Sequence, residues 1–365
     1  MRVVVVGAGY AGTIAANRLA KKVKAAEITV INPRPDFVER VRLHEQIAGT
    51  GAAATPLTSM LSDGVATRVG TVDKIGDGQV ALGDGATLDF DYLFLAVGST
   101  VAPLTGSVPV GIWEGAEEAR AALAALPGGR VVTVIGVFFF KQKTAYEIAC
   151  GRPDLRVRLV GQTIAASLSP GAQKRVRTSL DRLNVEVVVD SVTQIDHGAG
   201  EGGGDLVRLH SRPPFTSDLT LWAVIASVPD LAARSGLEVD ADGRAVVDEH
   251  LRSVTDPRIF VVGDCAAVPG SRAACATAMP QGAHAVDTLA RMIQGRKLKP
   301  YSMGYTGQAL SLGRRDGLLQ VNRRNGTVRR LYFAGRTAAV TKERICRYAK
   351  FGTRTASYAW LRSSK

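Results

Sequence analysis

Closely spaced cysteines are missing from this sequence. Its four cysteines, Cys150, Cys265, Cys275 and Cys346, include no CxxC or similar pair. That excludes a sequence-local redox dithiol and a zinc knuckle, and a reducing cytoplasm is the expected compartment. No apolar run is long enough to span a bilayer. The N-terminus lacks a charged segment followed by an apolar run and a cleavage site, so no secretory signal is expected. Acidic residues are scarce at one end only. From Arg314 onward 14 Lys/Arg face 2 Asp/Glu, and the rest of the chain holds 32 against 31, for a net charge of +13. The excess of base belongs to the C-terminal tail. It argues against a general nucleic-acid groove. It leaves two readings open, a tail that meets an anionic surface such as a lipid leaflet, or a solvated end.

Length and glycine are plentiful. A chain of 365 residues suffices for two or three domains, and 46% hydrophobic residues can fill their cores. The 39 glycines suit tight turns and close ligand approach. The first twenty-two residues, MRVVVVGAGYAGTIAANRLAKK, read as strand, turn and helix. The apolar run Val3 to Val6 suits a parallel strand buried on both faces. Gly7, Gly9 and Gly12 then form GxGxxG. Such glycines allow the tight turn, the approach of a pyrophosphate and close packing of helix on strand. The helix N-terminus offers free N–H groups to phosphates. A second strand, EITVIN, ends at Asn32, where a ribose-binding acid usually stands. An amide there can bond a ribose hydroxyl through its oxygen or its NH₂.

Two later segments narrow the reading. LDFDYLFLAVGS, Leu88 to Ser99, is a strand closing on a turn at Gly98, and RIFVVGDCA, Arg258 to Ala266, is a strand ending in Gly263-Asp264. With GAGYAG, AVGS and VVGDCA in this order, the chain resembles the two-dinucleotide-domain flavoproteins of the pyridine nucleotide–disulfide oxidoreductase family. It is most similar to the type II NADH dehydrogenase-like and apoptosis-inducing-factor-like branches. The resemblance covers nearly the whole chain and implies FAD in the first site, with Asp264 on the ribityl chain. It makes FVERVRLHEQIAGT, from Phe37, the segment beneath the flavin, with Arg42 as a cofactor contact. No catalytic role is assigned to any histidine. The helix after Asp264 is expected to begin near Met279, with Pro280 in its first turn.

The implied fold is α/β, with two Rossmann-like dinucleotide-binding domains and a small α+β C-terminal domain. The FAD domain, 1–108 and 249–299, is split around the NAD(P)H domain, 109–248, and the interface domain occupies 300–365. The implied activity is transfer from NAD(P)H through FAD to an acceptor, a quinone or a small redox protein, without a dithiol. A peripheral place on the inner face of the membrane and a homodimer are further expectations of the resemblance.

The second nucleotide turn departs from this pattern. GRVVTVIG and RPDLRVRLVG supply two strands, and NVEVVVDSVTQID reads as a third. Glycines are wanted at 136, 138 and 141. Gly136 is present, but Phe138 and Lys141 hold the other places. A phenyl ring would fill the space of the pyrophosphate, and a lysine would hold the helix off the strand. Three adjacent phenylalanines cannot all point inward. Lys141 and Lys143 could still neutralise phosphates. Residues 138–148, FFFKQKTAYEI, resemble a translated sequencing adapter: after a run of T, their codons can read CAAGCAGAAGACGGCATACGAGAT. This implies a stretch foreign to the gene and an impaired nicotinamide site in the chain as written. Ile225 also stands where a second glycine turn is usual, and Gly161-Gln162 ends the second strand without an acid. NADH and NADPH are not separated.

At the C-terminus, residues 301–340 alternate as strands do. The last part looks helical, with Ile345, Tyr348 and Phe351 among basic residues. A membrane-surface helix and packing on the body both fit. Three functions follow: an NAD(P)H:acceptor oxidoreductase, a flavin-binding sensing or interaction protein with a lost nicotinamide site, and a membrane-surface protein.

Overall fold

The computed structural model describes residues 1–136, 139–225 and 227–362. Its first sheet begins with β1 (Arg2–Val6), which leads into α1 (Tyr10–Lys22) and returns in β2 (Glu27–Asn32). β3 (Val65–Val69) and β4 (Tyr92–Leu95) complete its first part. All neighbours pair in parallel, and Val3 to Val6 are buried on both faces, as a continuous apolar run requires. The segment Leu88 to Ser99 is not one strand. Thr87–Asp89 belongs to a small antiparallel sheet, and only Tyr92–Leu95 joins the parallel one.

A second parallel sheet follows, with β5 (Val108–Pro109), β6 (Val131–Ile135), α2 (Phe139–Gly151), β7 (Arg156–Val160), β8 (Glu186–Val188) and β9 (Leu219–Trp222). Its order is β5-β9-β6-β7-β8. The expected third strand divides in two. Glu186–Val188 stays in this sheet, and Val192–Asp196 enters a three-stranded antiparallel sheet. Asp190 makes the break: its carboxylate accepts from the Ser191 and Ser211 backbone N–H groups and from the Ser211 hydroxyl.

The chain then returns to the first sheet. β10 (Ile259–Val261) pairs with β4, giving the order β10-β4-β1-β2-β3. The next helix, α3 (Cys275–Ile293), begins four residues before Met279, so Pro280 is interior and does not open the helix. A proline inside a helix removes one hydrogen bond. Here burial outweighs that loss, since Met279, Pro280, Gln281, Gly282 and Ala283 are all buried. A Cβ on Gly282 would stand 2.3 Å from the Ala11 carbonyl oxygen, so α3 lies directly against α1.

The C-terminal part is an antiparallel sheet, β11 (Gly307–Ser311), β12 (Gly317–Asn322) and β13 (Val328–Ala334), followed by α4 (Arg336–Thr355). The helix packs on the body. The Asn17 side-chain amide donates to the carbonyls of Met60, Thr353 and Arg354, tying α1 to the end of α4. Among the described residues no helix is long and apolar enough to cross a membrane.

Candidate functional site

The first nucleotide turn is built as its glycines suggest. The Gly7 N–H donates to the Ile31 carbonyl at 2.8 Å, joining the end of β1 to β2. Gly7 has φ 97°, a left-handed conformation that glycine adopts without strain. A Cβ on Gly12 would lie 1.9 Å from the Gly7 carbonyl oxygen, so the helix sits flush on the turn. A Cβ on Gly9 would meet nothing within 4 Å. That open space at a helix N-cap is where a pyrophosphate would lie. Asn32 closes the turn from beneath. Its Oδ1 accepts from the Ala8 N–H at 3.0 Å, and its Nδ2 donates to the Arg34 carbonyl at 2.7 Å. Its amide is therefore committed to the loop, and only spare acceptor capacity on Oδ1 is left for a ribose.

The other end of this site is a polar chain. The Ser99 hydroxyl donates to Asp264 Oδ2 at 2.7 Å, and Arg40 Nη1 donates to the Ser99 hydroxyl and carbonyl at 2.9 and 2.8 Å. Burial lowers the Arg40 pKa, and the Asp264 carboxylate opposes that shift. Gly98 and Gly263, with φ 69° and 86°, bring the two strand ends into position. Gln281 of α3 accepts from the Gly263 N–H at 2.6 Å. Arg40 was not singled out from the sequence, because only the fold shows which of two neighbouring arginines turns toward Asp264. Arg42 turns the other way. It contacts Glu45 and Glu343 at 3.1 and 2.9 Å and Glu39 at 3.4 Å. Burial opposes its charge, but the three carboxylates prevail and raise its pKa.

Below this lies a buried ionic floor. Glu39 accepts from the Tyr10 hydroxyl at 2.9 Å and from Lys350 at 3.1 Å. Lys342 stands 3.9 Å from Glu45. The segment from Glu39 to Glu45 is thus stitched to α4. His44 is fully buried within it, and neither ring nitrogen has a hydrogen-bond partner. Burial, and then the surrounding Lys and Arg charges, push its pKa well down. The ring packs there as a neutral residue. The four cysteines are free thiols. Among the described residues no group of His, Cys, Asp and Glu could hold a metal.

The second nucleotide turn has the same frame and a different filling. The Gly136 N–H donates to Val160 at 3.1 Å, as Gly7 does to Ile31. Phe138 lies outside the described residues. Residues 139–151 nonetheless form a helix, and Phe140 packs half-buried against the core and edge-on to His44. Lys141 does more than stand between helix and strand. Its side chain is buried, and Nζ donates to the carbonyls of Gly136 and Thr163 at 2.6 and 2.7 Å. Burial pushes its pKa down to about 8. It is therefore spent on the protein's own backbone and is not free to neutralise a phosphate. Lys143 is also pushed down to about 8, by burial and then by the Lys342 charge. Ile225 packs against Gly111, whose Cβ would stand 2.9 Å from the Ile225 side chain.

Two parallel dinucleotide folds, a glycine cradle and a Gly-Asp strand end define a two-domain nucleotide-binding flavoprotein. Comparison with known proteins agrees. A family model described as pyridine nucleotide-disulphide oxidoreductase matches residues 1–285, and the chain belongs to that family. Membership makes it an FAD-dependent oxidoreductase that uses NAD(P)H. It is similar to ferroptosis suppressor protein 1 of Taeniopygia guttata, 27% identical over 338 residues, covering 88% of this chain and 89% of that protein. It is similar to an NADH dehydrogenase-like protein of Mycobacterium tuberculosis, 28% identical, with 73% of each chain covered. Its fold matches the sulfide:quinone oxidoreductase of Aquifex aeolicus with a TM-score of 0.78 at 17% identity, over 97% of this chain and 92% of that one.

Proposed function

We propose that this protein passes electrons from NAD(P)H through FAD to a quinone-type acceptor. The observation that carries this reading is a cavity of about 280 Å³ against the ionic floor, lined by Glu45, Ser311, Arg314, Val340 and Lys342 among others. It mixes apolar wall with cations, as a small acceptor with carbonyl oxygens requires. FAD, when bound, supplies hydride acceptance and onward electron delivery. Gly7, Gly9 and Gly12 hold its phosphates, Asn32 supports the turn, and Gly98, Gly263 and Asp264, set by Ser99 and Arg40, orient its other end. Arg42 holds the floor to α4. Gly136 marks the nicotinamide side.

α4 exposes Ile345, Tyr348 and Phe351 beside Arg344 and Arg347, and neighbouring β13 exposes Leu331 and Phe333. Apolar and basic groups together suit an anionic membrane surface, where quinones are found. A similar protein pairs its name with quinone, which supports the same acceptor. The test is anaerobic NADH addition to the yellow protein, followed by a soluble quinone. Bleaching of the flavin band and its return with the quinone supports the reading. Bleaching without return would remove the quinone.

A second reading rests on Lys141: FAD binds, but NAD(P)H does not reduce it because the second turn is filled. A yellow protein that NADH fails to bleach would favour this sensing or interaction role.

A further inference from the structure

A second cavity, of about 360 Å³, lies on the far half of α3, away from the glycine cradle. Its floor is the helix face that carries His284, Asp287, Thr288 and Arg291. Its walls are the connection from Lys299 to Ser302 and the tail from Tyr358 to Arg362. The two walls are latched together. Trp360 Nε1 donates to the Ser302 carbonyl at 3.1 Å, and the Gly304 N–H donates to the Leu361 carbonyl at 2.8 Å.

Its charge is one-sided. Arg291, Lys299 and Arg362 line it, and among the described residues none of the three makes an ion pair. The one carboxylate, Asp287, is already held by Arg18 at 2.8 Å and by Lys22 at 2.5 Å. Those two cations cancel Asp287 and add to the positive field. His284 contributes no charge. Its Nε2–H donates to the Lys299 carbonyl at 3.0 Å, and burial lowers its pKa. Tyr358 and Trp360 line the cavity beside the charges.

We propose that this cavity is an anion-binding site for a phosphate monoester. Arg291, whose Nη1 donates to the Lys297 carbonyl at 3.2 Å, supplies its remaining guanidinium donors, and Lys299 and Arg362 supply further charge. A carboxylate satisfies one guanidinium, whereas three cations lining one cavity suit a group carrying nearly two negative charges. The remaining volume, walled by rings, takes the body of the molecule. The site is remote from the FAD turn, so its occupant is a regulator and not a substrate. It acts through the tail, because the tail closes the cavity and continues directly from α4, which is stitched to the ionic floor.

The experiment uses the FAD-loaded protein and three probes: adenosine 5′-monophosphate, glycerol 3-phosphate, and phosphatidylcholine vesicles with and without phosphatidic acid. Calorimetry and vesicle co-sedimentation are run on the wild type, Lys299→Gln, and the double variant Arg291→Gln/Arg362→Gln. All three residues are at least partly exposed, and the flavin band reports that each variant is folded. The expected result is one saturable site for a soluble monoester, weakened at least tenfold in the double variant and less in Lys299→Gln. Binding only to phosphatidic acid vesicles, weakened by the same variants, would identify the monoester as a lipid headgroup. Absence of binding to every probe overturns the proposal. So does binding that the variants leave unchanged, since the nicotinamide domain would then be the receptor.

Discussion

Lys141 Nζ lies 2.6 Å from the Gly136 carbonyl oxygen and occupies the spot where a side chain on Gly161 would begin, 2.1 Å from that missing Cβ. In the first domain the matching positions are Gly12, Gly7 and Asn32. There the helix is flush and an amide closes the turn. In the second domain a lysine on the helix does the closing, and the strand end has no side chain to compete with it. The two changes are complementary: a lysine at 141 fits because residue 161 is glycine.

Replacing Lys141 by glycine, together with Phe138→Gly, should restore a turn of the first kind. The expected outcome is flavin reduction by NADH at least tenfold faster at low NADH, about 1.4 kcal/mol of recovered stabilisation. Anaerobic stopped-flow absorbance measures it. An unchanged rate would show that the lysine does not obstruct the nucleotide. Sequencing a fresh amplicon over residues 138–148 is the companion measurement. Glycine codons at 138 and 141 are the outcome expected of a foreign insert, and phenylalanine and lysine codons would make the filled turn genuine.

The two glycines at the first turn should fail in different ways. A Cβ on Gly9 meets open space, so Gly9→Ala should fold normally and lose FAD. A Cβ on Gly12 would overlap the Gly7 carbonyl oxygen, so Gly12→Ala should lower the melting temperature as well as the FAD content. Differential scanning calorimetry and the ratio of flavin to protein absorbance separate the cases. Equal loss of stability in both variants would mean that Gly9 is packed and not open.

Asp264 should dominate retention of FAD. It is the acceptor at the end of the Arg40–Ser99 chain, and hydrogen bonds to charged groups contribute about 1.5–3 kcal/mol. Asp264→Ala should therefore weaken FAD binding by roughly ten- to a hundredfold. Ser99→Ala should cost less, because Arg40 can still reach the carboxylate's field. Titration of the apoprotein with FAD decides this, and a Ser99 variant weaker than the Asp264 variant would reverse the assignment.

Much of this was readable in the chain itself. Val3 to Val6, the three glycines and Gly263-Asp264 are local signals, because the turn and the strand end are made by neighbours in sequence. What sequence hid is long-range. The partners of Lys141 include Thr163, 22 residues on. Arg40 and Arg42 carry the same charge two residues apart, and only the packing of Gly111 and Glu343 sends them in opposite directions. The start of α3 was hidden by Pro280, whose usual place in a first turn gave way to burial. The split at Asp190 depends on Ser211, which no local pattern links to it.

His44 should make stability depend on pH in a stated direction. Its folded pKa lies well below the ordinary 6.5 because the neutral ring is buried among cations. The unfolded chain takes up a proton near pH 6.5, and the folded chain resists it. Between these two values the unfolded state binds more protons, so stability falls as pH falls. His44's contribution is intact above pH 6.5 and is lost progressively below it, at up to about 1.4 kcal/mol per pH unit. Chemical denaturation of the FAD-loaded protein at pH 7.5, 6.5 and 5.5 measures the slope. His44→Leu keeps the bulk, removes the proton site and relieves two unpartnered nitrogens. It should flatten the slope over that range without lowering stability at pH 7.5. A variant with the same slope as the wild type would move the acid sensitivity to another group, and a variant that unfolds at pH 7.5 would show that the ring is held by a contact stronger than packing.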